Sequence, residues 1–166
     1  MRPLAPAVMA EMGELCAYAC IVENMLHAQE VVATIDNDGV LWPSANRLYA
    51  VMALQPAMNP RVIDIARELS GAGMIGLPSS SKDFDNPQAA KDIERYFQSA
   101  SVPARERIAL MRLAWDFIGS EFGGRHQQYE KFYAGGPSMV KMNVTRTYDF
   151  ARATSMVDHA LGLGAD

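Results

Sequence analysis

The fold class of this chain is decided by the stretch Ile108-Ala-Leu-Met-Arg-Leu-Ala-Trp-Asp-Phe-Ile-Gly-Ser-Glu-Phe-Gly-Gly124. Its apolar residues recur at spacings of three and four, which is the period of one helix face. A second apolar stripe runs beside the first. The two stripes are Ile108, Met111, Trp115, Ile118 and Phe122, and Leu110, Ala114 and Phe117. The pattern therefore predicts a central helix that is buried on two sides.

The adjacent glycines Gly123 and Gly124 predict a sharp bend at the end of this helix. Two neighbouring residues without Cβ atoms let the main chain turn tightly and let a flat or anionic ligand approach it closely. Arg125 follows at once, and the free amides at the start of the next helix, with an arginine beside them, would suit a phosphate. The alternative is a plain helix-to-helix turn without a ligand, and spacing alone favours that alternative.

The N-terminal part of the chain carries a comparable stripe that is sustained to about Val32. Cys16, Cys20 and Met25 widen this stripe, so the first helix is also predicted to be buried on more than one side. The turn-forming residues Asp36-Asn37-Asp38-Gly39 then end the pattern. The stripe consists of Val8, Met12, Leu15, Ala19, Val22 and Leu26.

Proline and capping signals predict the remaining helices. Pro56 is expected to stop a helix that begins near Ser44, and Asn59-Pro60 is expected to start another that ends at Gly71. Asn86-Pro87 repeats the same starting signal. Further helices are predicted over about 87–98, 125–132 and 138–161. Since no alternating strand pattern is found, the predicted fold is all-α, a single antiparallel helical bundle over residues 1–166.

Composition excludes several classes of protein. A net charge of −4 and a pI near 5.4 argue against a nucleic-acid binder, which would carry a basic face. No window approaches the roughly 20 apolar residues that span a bilayer, and the start lacks the apolar core of a secretory signal. The sequence therefore predicts a cytoplasmic protein without a nucleic-acid or membrane partner.

The two cysteines and the histidines give weak signals for metal chemistry. Cys16 and Cys20 are predicted to be small buried core thiols, since cysteine is often interior. His27 and His159 fall near helix ends, where a histidine is favoured electrostatically. No His–Glu pair has the spacing of a di-iron bundle. The sequence therefore predicts no metal ligand.

Charged and aromatic side chains surround the glycine pair. Glu121 and Glu130 could act as an acid–base pair. Ion pairs with Arg125 and Lys131 are favoured, because such surface pairs are common and individually weak. The aromatic residues that follow are expected to pack in a core or an interface, with stacking on a planar ligand as the alternative. They are Tyr129, Phe132 and Tyr133.

An ordered set of motifs carries a family resemblance over nearly the whole chain. The motifs are Gly13-Glu-Leu-Cys-Ala-Tyr18, Trp42-Pro43, Leu48-Tyr49, Asn59-Pro-Arg-Val-Ile63, Leu77-Pro-Ser79, Asp92-Ile-Glu-Arg-Tyr96, Leu113-Ala-Trp-Asp116, Gly119-Ser-Glu-Phe-Gly-Gly-Arg-His126 and Tyr129-Glu-Lys-Phe-Tyr-Ala-Gly135. In these motifs the chain resembles the C-terminal domain of the 4-hydroxyphenylacetate 3-hydroxylase family, the oxygenase components of two-component flavin monooxygenases.

The resemblance implies a fold like that of the acyl-CoA dehydrogenases, with a helical N-terminal domain, a β-rich middle domain and this C-terminal bundle. It also implies an activity: reduced FAD from a separate flavin reductase reacts with oxygen, and a phenol is hydroxylated ortho to its hydroxyl group. Members assemble through this bundle, so a homo-oligomer, either a tetramer or a dimer, is expected.

The resemblance further implies which residues contact FAD, often an FAD bound mainly by a neighbouring subunit. These are Ser120, Glu121, Phe122, Gly123, Gly124 and Arg125. The chain corresponds to about the last third of a family member, so the other two domains are expected to be missing or to form a split subunit. No catalytic residue is assigned, and the chain alone is expected to hydroxylate nothing.

Two alternatives to the flavin-contacting domain stay open. The first is a non-enzymatic helical assembly module that has kept the bundle and lost the flavin. The second is a fragment related to the flavin and iron–sulfur dehydratase of hydroxybutyryl-CoA, for which Cys16 and Cys20 are the support. Two cysteines one helical turn apart cannot ligate a four-iron cluster by themselves.

Overall fold

The computed structural model describes residues 5–99 and 101–163, and these are mostly helical. The helices are α1 (Pro6–Val31), α2 (Ala45–Ser70), α3 (Pro87–Phe97), α4 (Ala104–Ile118), α5 (Glu121–Phe132), α6 (Pro137–Thr147) and α7 (Phe150–Leu161). Two 3-10 turns, Gly71–Met74 and Ser81–Asp85, lie between α2 and α3. The predicted all-α fold class is confirmed.

The chain divides into two compact units, each made of two segments. The first unit contains residues 1–15 and 57–131, and the second contains residues 16–56 and 132–166. The helices α1, α2 and α5 each contribute residues to both units. The expectation of one domain over residues 1–166 stays a prediction.

The core of the first unit joins α2 to α4. Ile63, Met74 and Ile118 form a buried cluster, and three partly buried side chains pack against it. These are Ala66, Met111 and Ala114. In the same unit the Arg67 guanidinium donates a hydrogen bond to the carbonyl oxygen of Ile118 at 2.8 Å. This bond fixes the C-terminal end of α4 to the side of α2.

A single arginine ties the start of α1 to α2 within the first unit. The Arg61 Nε and Nη2 atoms donate to the two carboxylate oxygens of Glu14 at 3.0 and 2.9 Å, and Nη2 also donates to Glu11 at 3.0 Å. Asp64 and Glu68 lie farther from Nη1, at 3.6 and 3.7 Å. The bond to Glu14 and the surrounding carboxylates raise the pKa of Arg61 above its ordinary range.

A short β-hairpin follows α1 within the second unit. Strand β1 (Thr34–Ile35) pairs antiparallel with β2 (Leu41–Trp42). One Asp36 oxygen accepts the amides of Asp38 and Val40, both at 2.9 Å, and the other accepts the Trp42 indole Nε1–H at 2.7 Å. The predicted turn at residues 36–39 is confirmed. The expectation of no strand is wrong. Each strand has only two residues, which is too short to show an alternating pattern, and the hydrogen bonds of the Asp36 side chain hold the turn between them.

The helix α2 runs without interruption through both prolines at which a break was predicted. The predicted stop at Pro56 and the predicted start at Asn59-Pro60 are therefore wrong. A proline in a helix interior removes one backbone hydrogen bond and crowds the preceding turn. Burial of Ile63 and Ile65 in the following turns shows that this segment is fixed by packing, which routinely overrides local propensity. Gly71 follows the helix with φ +52°, as its predicted capping role requires.

The predicted burial of α1 on more than one side is not seen. Of its described residues only Gln29 is buried, and Met12, Val22 and Leu26 from the apolar stripe are exposed. Cys16 and Cys20 are exposed free thiols, so the prediction of buried core thiols is wrong. The apolar side chains of α1 are spread around the helix, and within residues 5–99 and 101–163 only a small part of that surface is covered.

The helix α4 buries only part of its two predicted stripes: Ala114 of the second stripe packs against the core, whereas Trp115 of the first stripe is 42% exposed. Ile108 and Ile118 are buried, whereas Leu110 and Phe117 from the second stripe are 61% and 65% exposed. The prediction of a central helix buried on two sides is therefore wrong for this chain. The core is closed on one side of α4 only.

Candidate functional site

The change of direction between α4 and α5 lies at Gly119-Ser120, four residues before the predicted position. The amides of Gly119 and Ser120 both donate to the carbonyl oxygen of Trp115 at 2.8 Å, which ends α4. Gly123 and Gly124 belong to the first turn of α5. The prediction of a bend at the glycine pair is therefore wrong, because a hydroxyl cap starts the helix before the glycines are reached.

Ser120 holds the two helices together at this junction. Its hydroxyl group donates to the carbonyl oxygen of Asp116 at 2.8 Å and accepts the amide of Gly123 at 3.0 Å. Its own carbonyl oxygen accepts the amide of Gly124 at 3.0 Å, the first helical bond of α5. A serine in this position is a typical N-cap, since its oxygen satisfies an amide that the helix cannot. The cap fixes the direction in which α5 begins.

The two glycines do different things. A Cβ atom on Gly123 would lie 2.6 Å from the carbonyl oxygen of Phe117 and 3.0 Å from that of Asp116. Gly123 is therefore needed for the close contact between the first turn of α5 and the end of α4. A Cβ atom on Gly124 would meet nothing within 4 Å. Main chain is thus open to an approaching group at Gly124 and not at Gly123.

The charged groups of the junction pair with each other. The Arg125 guanidinium donates to Glu121 at 2.6 Å across one helical turn, with both side chains about four-fifths exposed. Glu130 lies 3.5 Å from the His126 Nε2 atom. The ion pair predicted between Glu121 and Arg125 is confirmed. The remaining guanidinium donors of Arg125 are exposed, so an anion would compete with Glu121 for its charge and not for all of its hydrogen bonds.

A stack of three rings runs along the exposed side of α5. The ring of His126 lies between those of Phe122 and Tyr129, with centroids 6.3 and 6.4 Å apart and interplanar angles of 11° and 24°. Phe122 is 75% exposed and Tyr129 is 61% exposed. Tyr129 does not lie in a core of this chain, and its packing in an interface stays a prediction. His126 was missed as a member of the stack, although the spacing of four and three residues carries the signal.

The six residues proposed from the sequence therefore share one short segment but form three groups. Ser120, Gly123 and Gly124 are joined by backbone and hydroxyl hydrogen bonds. Glu121 and Arg125 form a pair, and Phe122 starts the ring stack. Sequence reasoning also missed Arg67, whose bond to Ile118 anchors the end of α4 one residue before the junction.

Other candidates from the sequence form no site in the structure. Within residues 5–99 and 101–163 no group of three or more histidine, cysteine, aspartate or glutamate side chains could hold a metal ion. In the same ranges no helix combines the length and apolar composition needed to cross a bilayer. His159 lies in the last turn of α7, as predicted. The cytoplasmic location stays a prediction.

Comparison with known protein families shows which family this chain belongs to. Residues 4–162 match the family model described as the 4-hydroxyphenylacetate 3-hydroxylase C-terminal region. The chain belongs to this family. The resemblance inferred from the motifs is thereby confirmed.

The curated relatives of this C-terminal region are oxygenase components. The chain is 36% identical to the 4-hydroxyphenylacetate 3-monooxygenase oxygenase component of Pseudomonas aeruginosa over 140 residues, which cover 84% of the chain and 27% of that protein. It is 32% identical to the same component of Thermus thermophilus over 86% of the chain and 29% of that protein. The chain therefore spans less than a third of the length of these relatives.

Solved structures agree with the fold. The oxygenase component of 4-hydroxyphenylacetate 3-monooxygenase complexed with FAD superposes with a TM-score of 0.87 at 30% identity, over 95% of this chain and 33% of that chain. A second structure contains both FAD and 4-hydroxyphenylacetate and gives a TM-score of 0.88. The fold is thus of the acyl-CoA dehydrogenase-like type. An archaeal 4-hydroxybutyryl-CoA dehydratase gives 0.84 at 16% identity, which shows a shared fold alone.

Proposed function

We propose that this chain is the C-terminal, FAD-contacting and oligomerising domain of a reduced-flavin-dependent aromatic hydroxylase. The reaction is the ortho-hydroxylation of a phenol such as 4-hydroxyphenylacetate with FADH2 and O2. A separate flavin reductase supplies the reduced FAD. The missing domains, on the same or another polypeptide, hold the substrate, and the cytoplasm is the proposed location.

The observation that carries this proposal is the open main chain at the start of α5. Gly124 presents backbone without a Cβ atom, and nothing lies within 4 Å of the position a Cβ would take. It sits in the first turn of a helix, where amide dipoles favour an anionic or polar ligand. The matching region of the relatives belongs to proteins solved with FAD. A flat cofactor can therefore lie against this turn.

The proposed contacts divide between main chain and side chains. Ser120 accepts the amides of Gly123 and Gly124. The two preceding amides of α5, those of Glu121 and Phe122, are the proposed donors to polar atoms of FAD. The exposed Phe122 ring offers a face for stacking, as large exposed aromatic rings commonly do in binding sites. Arg125 could contact the cofactor through the guanidinium donors that Glu121 does not use. FAD itself supplies the oxygen chemistry when bound, and these residues hold and orient it.

Oligomerisation is proposed from the apolar surface that the chain leaves exposed. Monomeric proteins rarely expose contiguous apolar patches beyond a few hundred Å2. Large apolar side chains are exposed on every long helix of the described chain, among them Met9, Met12, Val22, Leu26, Leu110, Leu113, Phe117, Met156 and Leu161. A second copy of the chain and the missing domains are the proposed partners of this surface.

The proposal is tested in a chimera in which this chain replaces the C-terminal third of the Pseudomonas aeruginosa oxygenase component. Gly124→Leu should weaken FAD binding at least tenfold, because the side chain fills the space proposed for the cofactor. The dissociation constant is measured by flavin titration, and product formation from 4-hydroxyphenylacetate is measured in parallel. Gly123→Leu is unsuitable, since it would disturb the contact between α5 and α4.

Gly13→Leu is the matched control. Gly13 lies in α1, and a Cβ atom there also meets nothing within 4 Å. The control should therefore bind FAD like the parent chimera. Equal affinity of the Gly124→Leu and Gly13→Leu chimeras would contradict the flavin contact. A tetramer or dimer that still forms in that case would favour the assembly module without flavin.

A further inference from the structure

A groove of about 540 Å3 lies in the second unit, between the start of α2 and the junction of α6 with α7. Its lining includes Asn46 and Arg47 from α2, and Thr147, Tyr148 and Arg152 from the junction and α7. Volumes of roughly 300 to 1,000 Å3 are typical of sites for small molecules. The groove is therefore large enough for a small organic ligand.

Neither arginine of the groove has a carboxylate partner among the residues that the structure describes. The Arg47 guanidinium donates one hydrogen bond, to the Ser44 hydroxyl oxygen at 3.1 Å. Among the residues that the structure describes, neither Arg47 nor Arg152 has an acidic group within ion-pair distance of its guanidinium. Arg61 and Arg125, in contrast, both bind carboxylates. Two guanidinium groups without ion-pair partners in one groove favour an anionic ligand.

One acidic residue, Asp149, also lines the groove and caps a helix there. Its Oδ1 atom accepts the backbone amide of Arg152 at 3.3 Å and caps the start of α7. The groove thus contains two positive side chains and one negative side chain. The first turn of α2, which begins at Ala45, also reaches the groove through Asn46 and Arg47. The amide dipoles of a helix start add to the positive potential.

The remaining lining offers apolar and hydrogen-bonding surface. The Tyr148 ring is half exposed and is held in an edge-on contact with Phe150, with centroids 5.0 Å apart. Met156 adds a flexible apolar side chain that adapts to the shape of a ligand. Asn46 can donate and accept hydrogen bonds. This combination suits a small molecule with one anionic end and one planar apolar end.

We propose that this groove binds a small organic oxyanion, a carboxylate or a phosphate, between Arg47 and Arg152. Guanidinium groups bind either oxyanion through paired, charge-assisted hydrogen bonds. Tyr148 lies along the apolar part of the ligand. The groove belongs to the second unit, and the segment proposed to contact FAD, residues 120–125, belongs to the first, so the two proposals can fail separately.

Isothermal titration of the purified chain tests this site with three probes: inorganic phosphate, phenyl phosphate and phenylacetate. Saturable binding of at least one probe is expected at constant ionic strength. Arg47→Met and Arg152→Met should each weaken that binding tenfold or more. A preference for phenylacetate over phenyl phosphate would identify a carboxylate ligand, and the reverse preference a phosphate ligand. If inorganic phosphate bound as tightly as the two aryl probes, the phenyl ring would contribute nothing to the affinity. That result would contradict a contact with Tyr148 and an organic ligand.

Arg146→Met is the matched control. It removes the same charge from α6, where the Arg146 guanidinium contacts the Asn143 side chain and the residue does not line the groove. Binding to this variant should stay within twofold of that to the parent chain. Loss of binding equal to that of the groove variants, or no saturable binding of any probe to a chain folded by circular dichroism, would overturn the proposal.

Discussion

At the scale of single residues, two neighbouring glycines carry opposite constraints. Gly123 is buried, and its missing Cβ atom allows the first turn of α5 to touch the carbonyl oxygens of Phe117 and Asp116. Gly124 is exposed and meets no neighbour. The pair looks like one motif in the sequence, but only the first glycine serves the fold. The second is free to serve a ligand.

The first prediction follows from this difference. Gly124→Ala should raise the free energy of unfolding by about 0.5–1 kcal/mol, because alanine is the better helix former. Gly123→Ala should lower it by about 1–3 kcal/mol, because an added methyl group in a tight contact forces the backbone apart. Urea denaturation followed by circular dichroism measures both changes. The same sign of change for both variants would contradict the packing described for α5.

Predictions for single residues were confirmed where the residue's partner lies within a few positions along the chain. Asn86 caps α3 as predicted, since its side-chain oxygen accepts the amides of Gln88 and Ala89. The burial predicted for Cys16 and Cys20 failed, because burial depends on what packs against α1 and not on the residue type. His126 was overlooked in the ring stack because histidine counts as polar in a hydrophobicity pattern.

At the scale of elements, the hairpin after α1 shows how side chains can define secondary structure. Its two strands are only two residues long each, and the Asp36 carboxylate bonds to both sides of the turn. The hydrogen bond from the Trp42 indole, followed by that from the Val40 amide, lowers the pKa of Asp36. The hairpin therefore depends on the ionised form of one exposed carboxyl group.

The second prediction concerns the pH dependence of this hairpin. Because the pKa of Asp36 is lowered in the folded state, its stabilising effect is complete above the unfolded value of about 3.9 and is lost as the pH falls through the folded value. The indole Nε1–H resonance of Trp42 should therefore shift only below about pH 4. The indole resonance of Trp115 serves as the internal control. Asp36→Asn should abolish the shift, and a midpoint above pH 4 would argue against the bond.

The helix α2 illustrates the limit of local signals for elements. Both proline signals are strong stops in an isolated segment, yet the helix continues through them. The turns that follow Pro60 contribute Ile63 and Ile65 to the core. Packing of those turns outweighs the lost hydrogen bonds. The hairpin was missed for the opposite reason, because its strands are too short to give a pattern.

At the scale of the whole molecule, exposed apolar surface is the main feature of the described chain. The sequence correctly gives apolar stripes on α1 and α4, but large parts of both stripes face outward. The chain covers about a third of the matched oxygenase structures. An apolar helix that is hydrophobic all round is normally buried within a larger protein. We therefore propose that a second copy of the chain and the other domains of the oxygenase component cover this surface.

The third prediction is that the chain alone forms no catechol from 4-hydroxyphenylacetate in the presence of reduced FAD and O2. The physical reason is that only the edge of the proposed cofactor site is present, with no substrate pocket assigned to this chain. Product is measured by liquid chromatography. The complete oxygenase component of Pseudomonas aeruginosa under the same conditions is the positive control. Catechol formation by the isolated chain would falsify the assignment of a dependent domain.

The sequence by itself determined the helical fold class, the turn at residues 36–39, the caps at Gly71 and Asn86, and the family. These features depend on residues within about one helical turn of each other, or on motifs that are read directly. The tertiary structure alone decided which apolar residues of α4 are buried, which glycine is packed, and that Arg47 and Arg152 line one groove. The burial on α4 and the lining of the groove depend on residues far apart in the chain, and the packing of Gly123 depends on where α4 ends, so no periodic pattern contains these outcomes.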